Sequence, residues 1–298
     1  MIFISLNRIR SSVKFRIKAI LKKFLFLVFH SLGYEISFKS FNELIISSKL
    51  NETISKIKIA DNLGQIDKIE NLNFKSFVFH NYCYLNSEIP VLWILYLLGK
   101  KKNGFFVEFG ACDGVLFSNT LLLEKSFGWK GILAEPNRGY QKQIRANRRA
   151  LIDTRAVWSK TEEYVEFSEV SAGGLSGISS SFRVRKNLSD KRELLGVKKY
   201  MVETISLNDL LAAYNAPASF DLLSIDTEGS EFQILKNFNF NKYHPRIILI
   251  EFDGSKNTEK AFNKIIAKYG YTSIGSKLKD SRNLWFVSNT IPNLKNKL

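Results

Sequence analysis

The chain has 298 residues, 45% of them hydrophobic and 13% aromatic, which is enough for one full-sized core plus an appendage. Its two cysteines, Cys83 and Cys112, lie far apart without a Cys-x-x-Cys pair, which argues against a disulfide framework or a zinc site and fits a reducing cytoplasm. The net charge of +16 favours anionic partners such as lipid headgroups, nucleic acid or a phosphorylated substrate, although solvated lysines set by genome composition are the alternative.

The first 30 residues carry seven basic side chains and no acid. Their apolar stretch, 24–29, is far shorter than the ~20 residues that span a bilayer, and no small-residue cleavage site follows it. One interpretation is a basic amphipathic helix, residues 8–30, in peripheral contact with an anionic membrane, which would locate the protein at the inner face of the membrane. The other is a helix that packs on the main domain or on a partner.

Helical periodicity continues from residue 31 to about residue 100. The last helix of this region, predicted over 89–99, has Pro90 near its start and Gly99 at its end. A polar break, "GKKKNG", then separates a basic helical N-terminal region, residues 1–100, from the main domain, residues 101–298.

From Phe105 onward, strand and helix signals alternate. This pattern predicts an α/β fold of the Rossmann-like kind, with a mostly parallel seven-stranded sheet and helices on both faces. The predicted strands and extended segments are 105–109, 131–135, 151–158, 163–170, 200–207, 220–226, 246–252, 271–275 and 283–288. The predicted helices are 118–128, 139–149, 230–238 and 258–270. Ligands on such sheets bind beyond the carboxyl ends of the strands.

The first predicted strand, "FFVEF", runs into a turn that contains Gly110 and Gly114. A Gly-x-Gly-x-x-Gly fingerprint is absent, so a dinucleotide pyrophosphate is not expected here. Glu108 and Asp113 would repel a phosphate and attract an ammonium or a sulfonium. S-adenosyl-L-methionine carries both of these cations.

The second predicted strand ends in "AEPN", which places Glu135 at its carboxyl tip, 21 residues after Gly114. An acid at about that spacing accepts hydrogen bonds from the ribose hydroxyls of an adenosine. Ala156 and Val157, in the third predicted strand, stand where an adenine ring could rest. An ordinary strand-ending glutamate and two core residues are the alternatives.

The run "FDLLSIDTEGSEFQIL" brings three acids, Asp226, Glu228 and Glu231, to the junction of the fourth strand with a helix. A purely structural interpretation is that Asp226 or Thr227 caps the helix, while Glu228 and Glu231 favour its positive end. However, Glu251 and Asp253 end the next strand nearby, and structural acids seldom gather so densely at one edge. A functional role for Asp226 beside the proposed sulfonium is therefore expected.

Four motifs, "FFVEFGACDGVLFSNT", "AEPN", "LLSIDTEGSEFQILKNF" and "IILIEF", together resemble the FkbM family of S-adenosylmethionine-dependent methyltransferases, over about residues 103–255. The resemblance implies a Rossmann-like class I methyltransferase sheet and methylation of hydroxyl oxygens on sugars or polyketides. It implies cofactor contacts by Glu108, Gly110, Asp113, Gly114, Asn119 and Glu135, with Asp226 and Glu228 at the reacting end. The full expected cofactor set adds Ala111, Pro136, Ala156, Val157 and Asp226. Cys112 departs from the glycine or asparagine of many methyltransferases, and a small side chain should be tolerated there.

An alcohol is a poor nucleophile until its proton is removed by a positioned carboxylate or histidine, or until a metal lowers its pKa. Among the histidines, His244 enters the fifth strand at the wrong end of the sheet. Asp226 or Glu228 is therefore the expected base. Mg²⁺ held by Asp226 with Glu251 or Asp253 is the alternative, although no metal is expected.

The polar segment 170–200 is glycine-rich at its start and basic afterwards. A stretch of this length between strands is typical of a lid or binding loop, here for a sugar, a sugar nucleotide or a phosphorylated glycan. A mobile insertion without a binding role is the alternative.

These observations predict a cytoplasmic S-adenosyl-L-methionine-dependent O-methyltransferase that acts on a hydroxyl of a sugar, a glycan or a related metabolite. The rival is a nucleic-acid (RNA) methyltransferase or binding module that uses the basic surface. Base-methylating enzymes commonly carry proline and an aromatic residue after the fourth strand, whereas this chain reads "IDTEGS". An acidic edge would also repel phosphates, so no nucleic-acid partner is expected. A catalytically silent docking domain is a third interpretation, which the intact motifs argue against.

Overall fold

The computed structural model describes residue 77 and residues 89–170, 175–181, 196–274 and 283–298. These residues belong to one compact unit, Asn62–Leu298. The predictions for residues 8–30 and for most of the helical region 31–88 lie outside the described residues. Within the described ranges, no helix is both long enough and apolar enough to cross a membrane.

The described residues form eleven strands and seven α-helices. The strands are β1 (Phe105–Phe109), β2 (Lys130–Ala134), β3 (Leu151–Asp153), β4 (Ala156–Trp158), β5 (Tyr164–Val170), β6 (Gly177–Ile178), β7 (Val197–Ser206), β8 (Ser219–Ile225), β9 (His244–Glu251), β10 (Tyr271–Ser273) and β11 (Asn283–Ser288). The helices are α1 (Ile89–Leu97), α2 (Leu121–Phe127), α3 (Gln141–Asn147), α4 (Leu207–Ala213), α5 (Glu231–Lys236), α6 (Lys256–Ile266) and α7 (Leu294–Lys297).

The main sheet has seven strands in the order β10-β11-β9-β8-β1-β2-β3. It is mixed, because β11 runs antiparallel to both of its neighbours while the other pairs are parallel. The chain starts at β1 in the middle of the sheet, moves outward through β2 and β3, and later returns to the other side at β8. The strand order therefore reverses between β1 and β8, and ligands of open α/β sheets bind at such a position.

Alternation along β1 explains how both faces of the main sheet are covered. Val107 and Phe109 belong to a buried apolar cluster that includes residues of α4, α5 and α6. Phe106 and Glu108 point to the opposite face, because successive side chains of a strand alternate. There the guanidinium of Arg148, just after α3, lies 5.6 Å from the Phe106 ring. Helices therefore lie on both faces, as predicted.

The third predicted strand, 151–158, is in fact two strands in two different sheets. Asp153 Oδ1 accepts a hydrogen bond from the backbone N–H of Arg155 at 2.8 Å, and the two side chains form an ion pair. This local turn ends the pairing of β3 with β2 and lets β4 pair with β7. The expected single strand is therefore wrong at its centre.

A second sheet results, with the order β4-β7-β5-β6. The two extended segments predicted over 163–170 and 200–207 pair antiparallel within it, as β5 and β7. Val157 of β4 and Ile205 of β7 contribute to the main core, so this sheet is anchored against the principal layer.

Candidate active site

A cavity of about 470 Å³ lies at the carboxyl edge of the main sheet. Its walls come from the ends of β1, β2, β8 and β9 and, on the other side, from β4, β5 and residues 175–178. Small-molecule sites span ~300–1,000 Å³, so the cavity has the size of a cofactor site. Its position agrees with the reversal of strand order between β1 and β8.

The two strands at this reversal touch through their backbones at Gly110 and Asp226. A Cβ on Gly110 would lie 1.9 Å from the carbonyl oxygen of Asp226, and the φ of this glycine is +76°. No L side chain fits such a contact without displacing the backbone. The glycine therefore allows the ends of β1 and β8 to converge at the floor of the cavity, where both residues line it.

Glu108, predicted as a cofactor contact, does not line the cavity. Its carboxylate is buried and accepts hydrogen bonds from the backbone N–H of Asn119 at 2.6 Å and from Ser118 Oγ at 2.9 Å. Asn119 does line the cavity, and its side chain donates to Ser224 Oγ at 3.1 Å. Glu108 thus acts on the site by positioning Asn119.

Arg148, whose side chain is fully buried, binds the same segment through its guanidinium group. Its Nε donates to Glu124 at 3.1 Å, and Nη1 donates to the Gly114 carbonyl oxygen at 3.1 Å and to Ser118 Oγ at 2.8 Å. Nη2 donates to Thr120 Oγ1 at 2.8 Å. Segment 114–120 is therefore attached to a buried ionic network.

Three other predicted cofactor residues shape this turn and lie outside the cavity wall. Asp113 Oδ1 accepts hydrogen bonds from the backbone N–H groups of residues 115–116, at 2.9 and 2.7 Å. Gly114 has a φ of +84°, and a Cβ there would lie 2.6 Å from Arg148 Cγ. Ala111 is completely buried.

Glu135 lines the cavity together with Pro136, and its carboxylate is held at both oxygens. Oε2 accepts from the backbone N–H of Cys112 and Oε1 from that of Asn137, each at 2.9 Å. Burial raises the pKa of Glu135 to about 7. Each carboxylate oxygen has a second lone pair that can accept from a ligand. Burial also raises the pKa of the Cys112 thiol, which disfavours a thiolate at this position.

Ala156 and Val157, which begin β4, are buried and line the cavity. Phe167 of the second sheet lines it as well. The end of the cavity that the second sheet forms is therefore apolar and aromatic. Such a surface suits a planar ring.

Three carboxylates crowd the other end of the cavity. One oxygen from each of Asp226, Glu228 and Glu251 lies within 4.8 Å of the others. Burial and then the charge of Glu251, which also shares a hydrogen bond with Asp226, raise the pKa of Asp226 well above its usual range. Glu228 has a φ of +59°, a left-handed conformation that costs an L residue ~1–2 kcal/mol. Carboxylates this close favour a shared proton or a nearby cation.

The same three oxygens could hold Mg²⁺, which prefers oxygen ligands. Asp253, the other acid considered for a metal, lies outside this group, because it accepts from the Ser255 N–H at 2.8 Å and from Thr258 Oγ1 at 3.0 Å. Glu231 Oε1 accepts from the backbone N–H groups of Thr227 and Gly229, each at 3.1 Å. Glu231 is the first residue of α5, so its position agrees with the structural interpretation of a carboxylate at the positive end of this helix.

Histidine contributes nothing to the described part of the site. His244 is the first residue of β9, at the amino edge of the sheet, and its Nε2 lies 3.0 Å from Ser288 Oγ. The three carboxylates are therefore the strongest candidates for a general base among the described residues.

Residues 175–178, part of the predicted binding loop 170–200, line the cavity. Asn137 Nδ2 donates to Ser176 Oγ at 3.1 Å, which joins the loop after β2 to this segment. Residues 171–174 and 182–195 of the loop lie outside the described residues.

Sequence reasoning missed several cavity residues, namely Phe117, Asn137, Tyr140, Phe167, Ser176 and Asn283. Asn137 could have been found from its position directly after the "EP" dipeptide. Phe117 adopts a left-handed φ of +60°, for which its sequence carries no signal.

Comparisons with solved structures return methyltransferases with low overall similarity. A protein from Pyrococcus horikoshii that is proposed to be an RNA methyltransferase matches 62% of this chain and 66% of its own, with 12% identity and a TM-score of 0.31. The match thus spans just under two thirds of that protein's length. A precorrin-6y C5,15-methyltransferase from Geobacter metallireducens matches 66% of this chain and 85% of its own, with 9% identity and a TM-score of 0.32.

No curated protein matches the chain significantly. The family model described as "Methyltransferase FkbM domain" matches residues 108–273. This range covers more than half of the chain and contains the end of β1 and the whole of β2, β8 and β9, whose ends form the cavity floor. The chain therefore belongs to the FkbM methyltransferase family.

Proposed function

We propose that the protein is an S-adenosyl-L-methionine-dependent O-methyltransferase that acts on a hydroxyl group of a sugar, a glycan or a related metabolite. One observation carries the proposal: the order of groups along the carboxyl edge of the sheet. From the β4 side to the β9 side, this order is an apolar wall, Glu135, the glycine turn at Gly110, and the three carboxylates. Neighbouring strands lie ~4.8 Å apart, so Glu135 and Asp226, two strands apart, are separated by roughly 10 Å.

In the cofactor, adenine is followed by the ribose and then by the sulfonium, which carries both the methyl group and the amino acid portion. The apolar wall, Glu135 and the three carboxylates follow this order of adenine, ribose and sulfonium. Ala156 and Val157 would contact the adenine ring, and Glu135 would accept hydrogen bonds from the ribose hydroxyls through its remaining lone pairs. Gly110 would let the amino acid portion approach the backbone. When bound, S-adenosyl-L-methionine supplies an electrophilic methyl group on a sulfonium, whose positive charge suits the side of the cavity formed by Asp226, Glu228 and Glu251.

Asp226 is the proposed general base for the acceptor hydroxyl. Its raised pKa brings it closer to that of an effective base near neutral pH, and the hydrogen bond to Glu251 orients it. Glu228 and Glu251 can accept hydrogen bonds from further hydroxyl groups, which favours a polyhydroxylated acceptor. The three carboxylates disfavour a phosphate at the reacting position.

Calorimetric titration with S-adenosylhomocysteine tests the cofactor assignment. We expect Glu135→Ala to weaken binding at least about tenfold, because buried hydrogen bonds to charged groups contribute ~1.5–3 kcal/mol each. Glu163→Ala, which removes an acid of a surface ion pair outside the cavity, is the matched control and should bind normally. Equal affinities in the two variants would remove the ribose assignment.

Transfer of labelled methyl groups to a panel of sugars and sugar nucleotides tests the reaction. Asp226→Ala should bind S-adenosylhomocysteine nearly as well as the wild type but lose turnover. Full activity after treatment with a chelator is expected for a carboxylate base. Activity that depends on added Mg²⁺ would instead assign the three carboxylates to a metal.

A further inference from the structure

Three consecutive apolar side chains point to solvent beside the cavity. Val115, Leu116 and Phe117 are 49%, 44% and 57% exposed, respectively. They follow the Asp113–Gly114 turn directly, and Phe117 also lines the cavity. Scattered exposed apolar residues are normal, but a run of three at the mouth of a site indicates an interaction surface.

This run is held in its exposed position by the surrounding contacts. Asp113 Oδ1 accepts hydrogen bonds from the N–H groups of Val115 and Leu116, and Arg148 binds the Gly114 carbonyl oxygen. Phe117 adopts a left-handed φ of +60°. Segment 114–117 is therefore shaped to present its side chains outward, and it does so at the cost of local backbone strain.

Exposed cations lie on or just after the two helices that contact this turn or its buried ionic network. Arg145 of α3 lies two residues before Asn147, whose Nδ2 donates to the Asp113 carbonyl oxygen at 2.8 Å. Arg149 is exposed, and its backbone N–H donates to Glu124 at 2.9 Å, next to the exposed Lys125 of α2.

The acids of this region only partly neutralise those cations. Glu124 is buried and ion-paired with Arg148, which leaves Asp113 as one negative charge against the exposed cations Lys125, Arg145 and Arg149. The described residues of the turn, of α2 and of α3 with Arg148 and Arg149 therefore carry a net positive charge.

We propose that this surface, residues 115–117 with Lys125, Arg145 and Arg149, docks on an anionic lipid bilayer. Apolar tips that enter the interface, together with cations that contact the headgroups, are the two elements of peripheral membrane binding. A protein partner suits the surface less well, because stable protein interfaces bury roughly 800 Å² per partner, more than three side chains provide. The net charge of +16 acts in the same direction.

Docking in this orientation turns the mouth of the cavity at Phe117 toward the bilayer. An acceptor that is itself anchored in the membrane could then present its hydroxyl group to the site without leaving the lipid. This surface shares no residue with the basic N-terminal segment 8–30, so substitutions can test the two independently.

Co-sedimentation of the full chain with vesicles tests the proposal, using phosphatidylcholine alone and phosphatidylcholine with about 30% phosphatidylglycerol. The wild type should bind the anionic vesicles and not the neutral ones. Val115→Ser/Leu116→Ser should lower the bound fraction at least about fivefold, because both apolar tips leave the interface. The matched control is Tyr164→Ser/Met201→Ser, which removes two exposed apolar side chains of the second sheet and should bind like the wild type.

Arg145→Gln/Arg149→Gln should also reduce binding, and Lys260→Gln/Lys264→Gln on the exposed side of α6 is its control. Affinity for S-adenosylhomocysteine should be unchanged in Val115→Ser/Leu116→Ser, which separates this proposal from the proposed function and reports that the variant is folded. The proposal is overturned if the wild type does not bind anionic vesicles, or if Val115→Ser/Leu116→Ser binds them as well as the wild type.

Discussion

Gly110 and Asp226 approach each other so closely that a single added carbon on the glycine would overlap the aspartate carbonyl oxygen, 1.9 Å away. Gly110→Ala must therefore push the ends of β1 and β8 apart in addition to adopting an unfavourable positive φ. We expect the free energy of unfolding to fall by more than about 2 kcal/mol, measured by urea denaturation.

Gly254→Ala is the control for this variant. Gly254 has a similar φ of +80°, but no atom lies within 4 Å of the position of an added Cβ. Its substitution should cost only the conformational penalty, about 1–2 kcal/mol. Equal losses in the two variants would mean that the strand ends are not in tight contact.

Arg148→Met tests the buried ionic network. It leaves Glu124 and Glu108 without their cation in a buried setting, and losing one partner of a buried pair typically costs ~3–5 kcal/mol. The exposed neighbour Arg149 provides the control, since Arg149→Met should change the free energy of unfolding by less than about 0.5 kcal/mol. A small effect of Arg148→Met in urea denaturation would contradict a stabilising role for the network.

Glu135 should make stability depend on pH. Burial raises its pKa in the folded protein from the usual 4.5 to about 7, so the folded state binds more protons than the unfolded state between these values. Its contribution to the free energy of unfolding is therefore greatest below pH 4.5 and falls as the pH rises to 7, by up to about 3 kcal/mol.

Glu135→Gln cannot ionise and should lack this dependence. Urea denaturation at about pH 5 and about pH 8 measures it. The wild type should lose stability relative to Glu135→Gln on going to the higher pH. If the difference between the two proteins is the same at both pH values, the carboxyl group does not titrate as described.

Asp226 and Glu251 should control the pH dependence of turnover. A base works when deprotonated, so turnover should rise with pH through the raised pKa of Asp226. Glu251→Gln removes a negative charge that raises this pKa, and we expect the rise to move to lower pH. Asp253→Asn, outside the cluster, should leave the profile in place. An unmoved profile in Glu251→Gln would show that another group limits the reaction.

Much of the main sheet could be predicted because its central strands are unbroken apolar runs. The segments predicted over 105–109, 131–135, 220–226 and 246–252 correspond closely to β1, β2, β8 and β9. Buried parallel strands have this pattern, since both of their faces are covered. The acids and glycines that follow them are brought together at one edge by the topology alone.

Two features could not be predicted from local patterns. The break between β3 and β4 depends on the Asp153–Arg155 turn and on pairing with the distant β7. The sequence of residues 151–158, by contrast, has the pattern of a single strand. Glu108 and Glu135 look equivalent as acids near strand ends. However, alternation turns Glu108 away from the cavity, whereas Glu135, one residue beyond its strand, lines it.

Arg148 reaches residues from α2, from the 114–120 segment and from the end of β1 with a single side chain. Its guanidinium loses its hydration shell only when all of these segments are assembled, so none of the hydrogen bonds can be gained separately at low cost. The entrance to the cavity should consequently appear in the same cooperative step as the fold. A ligand would then meet a preorganised opening and would not have to supply the entropy of ordering it.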